Sequence, residues 1–482
     1  MRSPIRRTGV LLATVAIAVS ACAGQGSTPA PSVAPSAVPS VAASVAASAA
    51  PSVATSAAPS AEPSAAAFDW KKFAGTEITF LANQHPWTDG ATKLIDQFTA
   101  ETGIKVNMQP FSEDLYFDKM EQTIRSGGAD VYFLPMDSTA YSQYSADLIE
   151  PLTPYLEDPA KTAADYDFAD FPAGFLGGAL YPPGDPAAQV YGIPISFETY
   201  ILFYNKDLVT SVPATFPDLI ADAQRITAEK GGEGISGSVM RGIRSDTIMD
   251  TLSGVVWNSF GAADAPTPYG MWFDGAWDKP RLTDAGVCSG LANYGNLLAA
   301  GPSNKYAIDW PDANTLFSQG KAAYFIDASL FGPSYEDPTV SQVAGKVGYA
   351  VLPPPSAGAE SYTGHWLWGL GIPKSAANKD AAWYFLQWMT DKAHTAEIGK
   401  STGGAPRLSS YSDPVYTSAL NPEYVDTVSK AMATSRTTVV LKDGWKDGAL
   451  AIADTELAIA QGTDPTVACA AGNEALKAAV NP

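Results

Sequence analysis

Between residues 25 and 67 the chain runs through 43 positions of which 38 are Ala, Pro, Ser or Val, with no Leu, Ile, Phe, Tyr or Trp among them. Such a stretch cannot bury enough apolar surface to offset the entropy of ordering it, so it separates regions rather than folding. Units such as Pro51-Ser52-Val53-Ala54 and Pro59-Ser60-Ala61 recur in it, as in a low-complexity spacer. A flexible chain of that length has a root-mean-square span of roughly 35 Å. Whatever folds must lie in Phe68 to Pro482, 415 residues that hold every aromatic in the chain, all 11 Trp included.

What precedes the spacer reads as an address. Arg2, Arg6 and Arg7 lead into an apolar run from Val10 to Val19 and then into small residues, the layout of a secretory signal over residues 1–21. Ten apolar residues are too few for a stop-transfer span. Val19-Ser20-Ala21-Cys22 resembles the lipobox of bacterial lipoproteins, which implies lipid on Cys22 and an anchor in the membrane. The folded part is then expected to stand outside the cytoplasmic membrane, at the cell surface or in the periplasm, with residues 22–67 as its tether.

The folded part carries 27 basic and 49 acidic residues, a net charge of −22. That sign argues against nucleic acid or a polyanionic substrate as partner. With three His and three Cys and no CxxC or HExxH spacing, neither a transition-metal site nor another cofactor is expected. Gly399-Lys400-Ser401-Thr402 imitates the end of a P-loop, but His394 stands where its first glycine belongs. A nucleotide enzyme or a serine hydrolase is not expected.

Periodicity predicts an α/β fold. Glu77 to Leu81 reads as a strand, Leu94, Ile95 and Phe98 as a helix, Ile104, Val106 and Met108 as a strand, Leu115, Met120 and Ile124 as a helix, and Asp130 to Leu134 as a buried strand. This βαβαβ opening implies a mostly parallel sheet. Strands at Tyr200 to Tyr204, Ile235 to Met240, Ala322 to Ile326 and Lys346 to Val351 alternate with helices such as Asp218 to Lys230 and Thr247 to Phe260. More than 400 residues exceed one comfortable core, so two α/β lobes are expected.

Ligands of open α/β sheets sit beyond the carboxyl ends of strands, which selects Asn83 to Asp89, Pro135 to Tyr141, Arg241 to Asp246 and Asp327 to Phe331. Polyhydroxy ligands need ring faces and bidentate polar side chains. Trp383 and Trp388 lie on a helical pattern and read as core; Trp366 and Trp368, one residue apart, share a side if Trp366 to Ile372 is a strand. Asp327 could be an exposed loop residue, Arg241 a solvated charge and Glu198 an interlobe salt bridge. A glycosidase, with two carboxylates about 5 to 10 Å apart, would draw on the same residue types.

Four segments together resemble the extracellular solute-binding proteins of carbohydrate ABC importers, the group with maltodextrin- and polyol-binding members. They are Tyr191 to Thr199 running into Leu202 to Leu208; Leu316 to Ala323 followed by Tyr324 to Ser329; Gly364 to Ser375 leading to Ala381 to Met389; and Gly403 to Arg407 ahead of Asp413-Pro414. Arg241-Gly242, Tyr335 to Gly348 and Trp366-Leu367-Trp368 resemble the sorbitol and mannitol type in particular.

The resemblance implies a two-lobed, type II periplasmic-binding fold, each lobe a mostly parallel sheet flanked by helices with the ligand cleft between them. The expected divisions are 68–195 for the N-terminal lobe, 196–360 for the C-terminal lobe, 361–420 returning to the first, and 421–482 as helices on the second. By similarity Glu198, Arg241, Asp327, Trp366, Trp368 and Arg407 would approach the ligand. Trp87 or Tyr141 would add ring faces, and Asp137 and Asn258 hydrogen bonds. The loop Gln84-His85-Pro86-Trp87 and the inserted His365 depart from the pattern and leave the solute open, with Gln84 and His85 counted among the expected ligand-binding residues. The resemblance further implies a monomer that captures a small carbohydrate or polyol by hinge closure, without catalysis, and hands it to the membrane subunits of an importer. Cys288 and Cys469 remain once Cys22 is lipidated; an exported site permits their disulfide, and sequence leaves the pairing open.

Overall fold

The computed structural model describes residues 68–261 and 268–481; the expected signal peptide, Cys22 and the spacer lie outside them. The βαβαβ opening is present as β1 (Glu77–Asn83), β2 (Lys105–Phe111) and β3 (Val131–Pro135), with β1 parallel to both neighbours. The helices Ile95–Thr102 and Glu113–Ser126 connect them. In the second, the buried stripe is Tyr116, Met120 and Ile124 at i, i+4 and i+8, and Leu115, expected on that face, is 41% exposed. A short hairpin of β4 (Leu180–Tyr181) and β5 (Gln189–Val190) follows.

The remaining strands are β6 (Ile193–Asn205), β7 (Ser236–Val239), β8 (Ala322–Ala328), β9 (Val347–Ala350), β10 (Thr363–Gly371) and β11 (Ser435–Thr437). They join the opening strands in one mixed sheet ordered β2-β1-β3-β10-β6-β8-β7, with β9 on β6 and β11 on β10. The outer pairs β1/β2, β1/β3 and β7/β8 are parallel, whereas β6 and β10 run antiparallel to each other and to β8 and β3. The two long strands therefore carry the sheet from one half to the other. Near its start β6 pairs with β10 from Ile193 onward, and from Tyr200 to Asn205 it pairs with β8 and β9.

Two apolar clusters fill the interior. The first gathers Phe80, Phe98 and Phe133 with the helix Lys379–Met389, where Trp383 and Trp388 are buried as their helical spacing implies. The second gathers the other face of β6 and β8, through Tyr200, Leu202 and Ile326, with the helices Phe216–Lys230, Ile248–Phe260, Ala285–Ala299, Trp445–Ala460 and Pro465–Val480. Cys288 and Cys469 are bonded across the last and third of these, with Cα atoms 5.9 Å apart. The helix Pro422–Thr434, by contrast, places Tyr424, Val428 and Ala431 in the first cluster.

A close backbone approach sets the helix Ile248–Phe260 against the crossing strands. A Cβ on Gly254 would meet the Tyr200 ring at 2.8 Å, and one on Gly364 would lie 3.1 Å from the Gly254 Cα. A side chain at Gly254 would force the buried Tyr200 ring to shift, and one at Gly364 would press on the Thr438 side chain at 2.8 Å and on the Gly254 backbone, so glycine suits both positions.

Candidate functional site

Antiparallel pairing puts Trp366 opposite Glu198 and Trp368 opposite Ser196. Directly opposed residues share a face, and residues two apart on a strand share it too, so Trp366, Trp368, Glu198 and Ser196 stand together. A break in register follows Trp368, before Gly369. The Trp366 and Trp368 rings meet edge to face at 6.1 Å; Phe133 lies 5.0 Å from Trp368, and Phe117, 37% exposed, lies 5.9 Å from it. Trp366 and Phe331 are partly buried side chains that pack against both apolar clusters, which places them at the junction of the two halves. Trp310 stacks on Phe331 at 5.9 Å.

The charged groups converge beside these rings. Arg241, just past β7, makes a two-pronged pair with Asp327 near the end of β8, at 2.9 and 2.6 Å. Its Nη1 also donates to Asp250 at 2.9 Å and to the Thr247 carbonyl at 2.8 Å. Asp327 is fully buried and Arg241 nearly so, so the pair is held in a poorly solvated place where matching geometry is essential. Burial pushes the Asp250 carboxyl up to about 7; Arg241 opposes that rise, and the neighbouring Glu198 and Asp327 charges add to it. The Tyr200 hydroxyl, buried without a hydrogen-bond partner among the described residues, feels the charges of Asp250, Arg241, Glu198 and Asp327 and is itself pushed well above the usual phenol range, first by burial.

Of the expected set the structure thus brings together Glu198, Arg241, Asp327, Trp366, Trp368 and His85, whose Nε2 lies 3.1 Å from Glu198 Oε1. The segment expected as the loop Gln84-His85-Pro86-Trp87 is a helix start. His85 caps the helix Pro86–Thr92, Pro86 occupies the first turn, and Trp87 is 3% exposed against Phe80 and Phe133. Trp87 therefore serves the core rather than offering a ring face. Gln84 is exposed, held by its backbone N–H to the Phe111 carbonyl.

Two other expected contacts, Asn258 and Arg407, and the inserted His365 are spent on the protein itself. Asn258, fully buried, donates to the Pro353 carbonyl at 2.8 Å and accepts the Tyr362 N–H at 3.1 Å, which ties its helix to the chain entering β10. Arg407, also fully buried, donates to the carbonyls of Thr390, Asp167 and Tyr166 and pairs with Asp170 at 3.3 Å, and shares no partner with the group around Glu198. His365 lies beside the stacked Phe175 and Phe197 rings with Nδ1 2.8 Å from Ser435 Oγ; burial, helped by Arg436, lowers its pKa to about 3 and keeps the ring neutral.

Asp137 caps the helix Ser138–Ser145 through the Thr139 N–H at 2.7 Å, and burial raises its pKa to about 6. Tyr141 lies in a tyrosine group with Tyr144 and Tyr181. Asp250, Phe117 and Trp310 were not singled out by sequence, whereas Phe331 ends one of the selected segments. Asp250 reads as a first-turn helix acid, and Phe117 as one more apolar residue of an amphipathic helix.

Two catalytic signatures occur as bare strings: Gly399 to Gly403 spells Gly-x-Ser-x-Gly, and Gly232 to Gly237 spells Gly-x-Gly-x-x-Gly. Neither has the context its chemistry needs. Ser401 lies in the last turn of the helix Lys392–Thr402 with its hydroxyl on the Ile398 carbonyl, and the glycine string runs into the start of β7 instead of following a strand and opening a helix.

A family model described as bacterial extracellular solute-binding protein matches residues 84–396. The chain belongs to that family. The erythritol/L-threitol-binding protein of Mycolicibacterium smegmatis is 27% identical to this solute-binding protein over 369 residues, 74% of each chain. A probable amino-acid ABC transporter periplasmic-binding protein of Sinorhizobium fredii is 23% identical over 73% of this chain and 77% of its own. Among solved structures, an ABC transporter solute-binding protein from Agrobacterium radiobacter in complex with ribitol superposes with a TM-score of 0.68 at 22% identity, over 84% of this chain and 99% of that one. The fold is accordingly the type II periplasmic-binding fold. Among the described residues no helix is long and apolar enough to cross a membrane, and no cluster of His, Cys, Asp and Glu is set to hold a metal ion.

Proposed function

We propose that this protein is the substrate-binding lipoprotein of an ABC importer and captures a sugar or sugar alcohol between two lobes that close about β6 and β10. The observation that carries the ligand class is the state of Arg241. Four of its five N–H groups are committed to Asp327, Asp250 and Thr247, so this guanidinium has little left for a ligand carboxylate or phosphate. What the site offers is an acceptor oxygen on Glu198 beside two indole rings, which suits a neutral polyhydroxy solute and disfavours an amino acid. The polyol-binding relative and the ribitol complex support this reading.

In this account residues 68–195 and 361–420 form one lobe and 196–360 the other, with the helices beyond 421 completing the fold. A solute that touches both lobes binds the closed state better and shifts the population toward it. Binding requires no bond to break, so the solute is delivered intact. Lipid on Cys22 holds the monomer at the membrane, and the spacer gives it reach. The test is a thermal-shift screen of the purified protein against polyols, sugars and amino acids. A polyol or sugar at about a hundred times its Kd should add roughly 2.7 kcal/mol of stability. A response to amino acids alone would refute the ligand class.

A further inference from the structure

His85 bridges two parts of the fold that lie far apart in sequence. Its Nδ1 accepts the backbone N–H of Trp87 at 3.1 Å, capping the helix Pro86–Thr92. A backbone N–H only donates, so Nδ1 must offer its lone pair and the neutral ring carries its proton on Nε2. That nitrogen lies 3.1 Å from Glu198 Oε1, and it is therefore the donor in the contact. The side chain is 9% exposed, with Phe133 at 5.4 Å and Trp368 at 6.1 Å, so the ring has little room to swing away. Glu198 Oε2 makes no hydrogen bond to any described residue, and Trp366 is the directly opposed cross-strand partner of Glu198.

We propose that His85 is a positioning residue for recognition of the solute. It holds Oε1 of Glu198 so that Oε2 is presented beside the Trp366 ring to accept a ligand hydroxyl, and it fastens that carboxylate to the helix Pro86–Thr92. A carboxylate already fixed by one oxygen loses less freedom when the other binds, which is preorganisation in the ordinary sense. This role rests on the sugar or polyol reading above. It assigns to His85 an action through Glu198, not a contact of its own with the solute.

The cap and the positioning role come apart in the variant His85→Asn. An asparagine oxygen still caps the helix, because Asn is among the best capping residues, but its side chain is too short to reach Glu198. Erythritol and ribitol are titrated calorimetrically into the wild type, His85→Asn, Glu198→Gln and the double variant, with melting temperatures recorded for each. His85→Asn should melt within a few degrees of the wild type and bind about 3- to 10-fold more weakly. In the Glu198→Gln background the same change should have no further effect, since the two residues act as one unit. Wild-type affinity in His85→Asn, or additive losses in the double variant, would overturn the positioning role.

A ligand-free readout accompanies the titrations. Long-range proton–nitrogen spectra of the imidazoles, simple to assign in a chain with 3 His, should show His85 protonated on Nε2 and perturbed by Glu198→Gln. Protonation on Nδ1, or no response to Glu198→Gln, would overturn the proposal whatever binds. Failure of the wild type to bind either polyol or any sugar, with the spectra as expected, would instead overturn the ligand reading and with it the task assigned to the pair.

Discussion

Asp327→Ala strips the Arg241 guanidinium of its two-pronged partner at a place where Asp327 is fully buried and Arg241 is 5% exposed. Breaking a buried pair by deleting one member costs about 3–5 kcal/mol, because the other charge is left uncompensated. Here Asp250 remains at 2.9 Å to take up part of that charge, which places the expectation toward the lower figure. For roughly four hundred residues unfolding together, the entropy of unfolding is about 0.9 kcal/mol per kelvin, so the loss corresponds to a fall in Tm of about 3–5 °C. Calorimetric melting of the solute-free protein reads this directly. Replacing both residues by Leu should recover much of the loss, since well-packed apolar residues often match a buried pair in stability. The double variant should nonetheless bind solute far more weakly than the wild type. A fall below about 1 °C in Asp327→Ala would refute the burial and mutual dependence of this pair.

Other outcomes follow from the same structure. The Asp250 carboxyl, raised to about 7 in the fold against an ordinary value near 4, is stabilising in its protonated form below about pH 4, and that contribution is lost as pH rises through 7; Asp250→Asn should flatten this part of a denaturation series between pH 4 and 8. Reducing the bond between Cys288 and Cys469, which closes a sequence separation of 181 residues, should cost up to about 5 kcal/mol by the chain-entropy relation and lower Tm measurably in reductant. Glu456 is fully buried with neither oxygen hydrogen-bonded to any described residue, and burial holds its pKa well above the usual carboxylate range. Glu456→Met should therefore stabilise the fold by about 1–3 kcal/mol in urea titrations at neutral pH, and by less near pH 4.

The fold was legible wherever hydrophobic period alone decides the element. The βαβαβ opening and the Trp383–Trp388 helix follow from alternation and from 3.6-residue spacing, and the structure has them within a few residues of the expected bounds. Trp366 and Trp368 could be placed on one side of a strand for the same reason. The Pro86 segment misled because proline punctuates loops, yet its fixed φ and missing N–H suit the first turn of a helix equally well. Arg241 and Asp327 are 86 residues apart and His85 and Glu198 113 apart. Such pairings are made by the sheet order and have no local trace in the sequence. Arg407 carries the opposite lesson: a family motif marked the position, while the local packing gives its side chain to Thr390, Asp167, Tyr166 and Asp170.

The central claim is that Trp366 and Glu198, at the junction of the two halves, take up a neutral polyhydroxy solute and release it unchanged. Isothermal titration of the full chain with erythritol, ribitol and a panel of sugars, with the recovered solute analysed chromatographically, meets that claim most directly. The account predicts one-to-one binding of at least one of them, intact recovery, and loss of binding in Trp366→Ala. Turnover of the solute, or binding undiminished in Trp366→Ala, would contradict it.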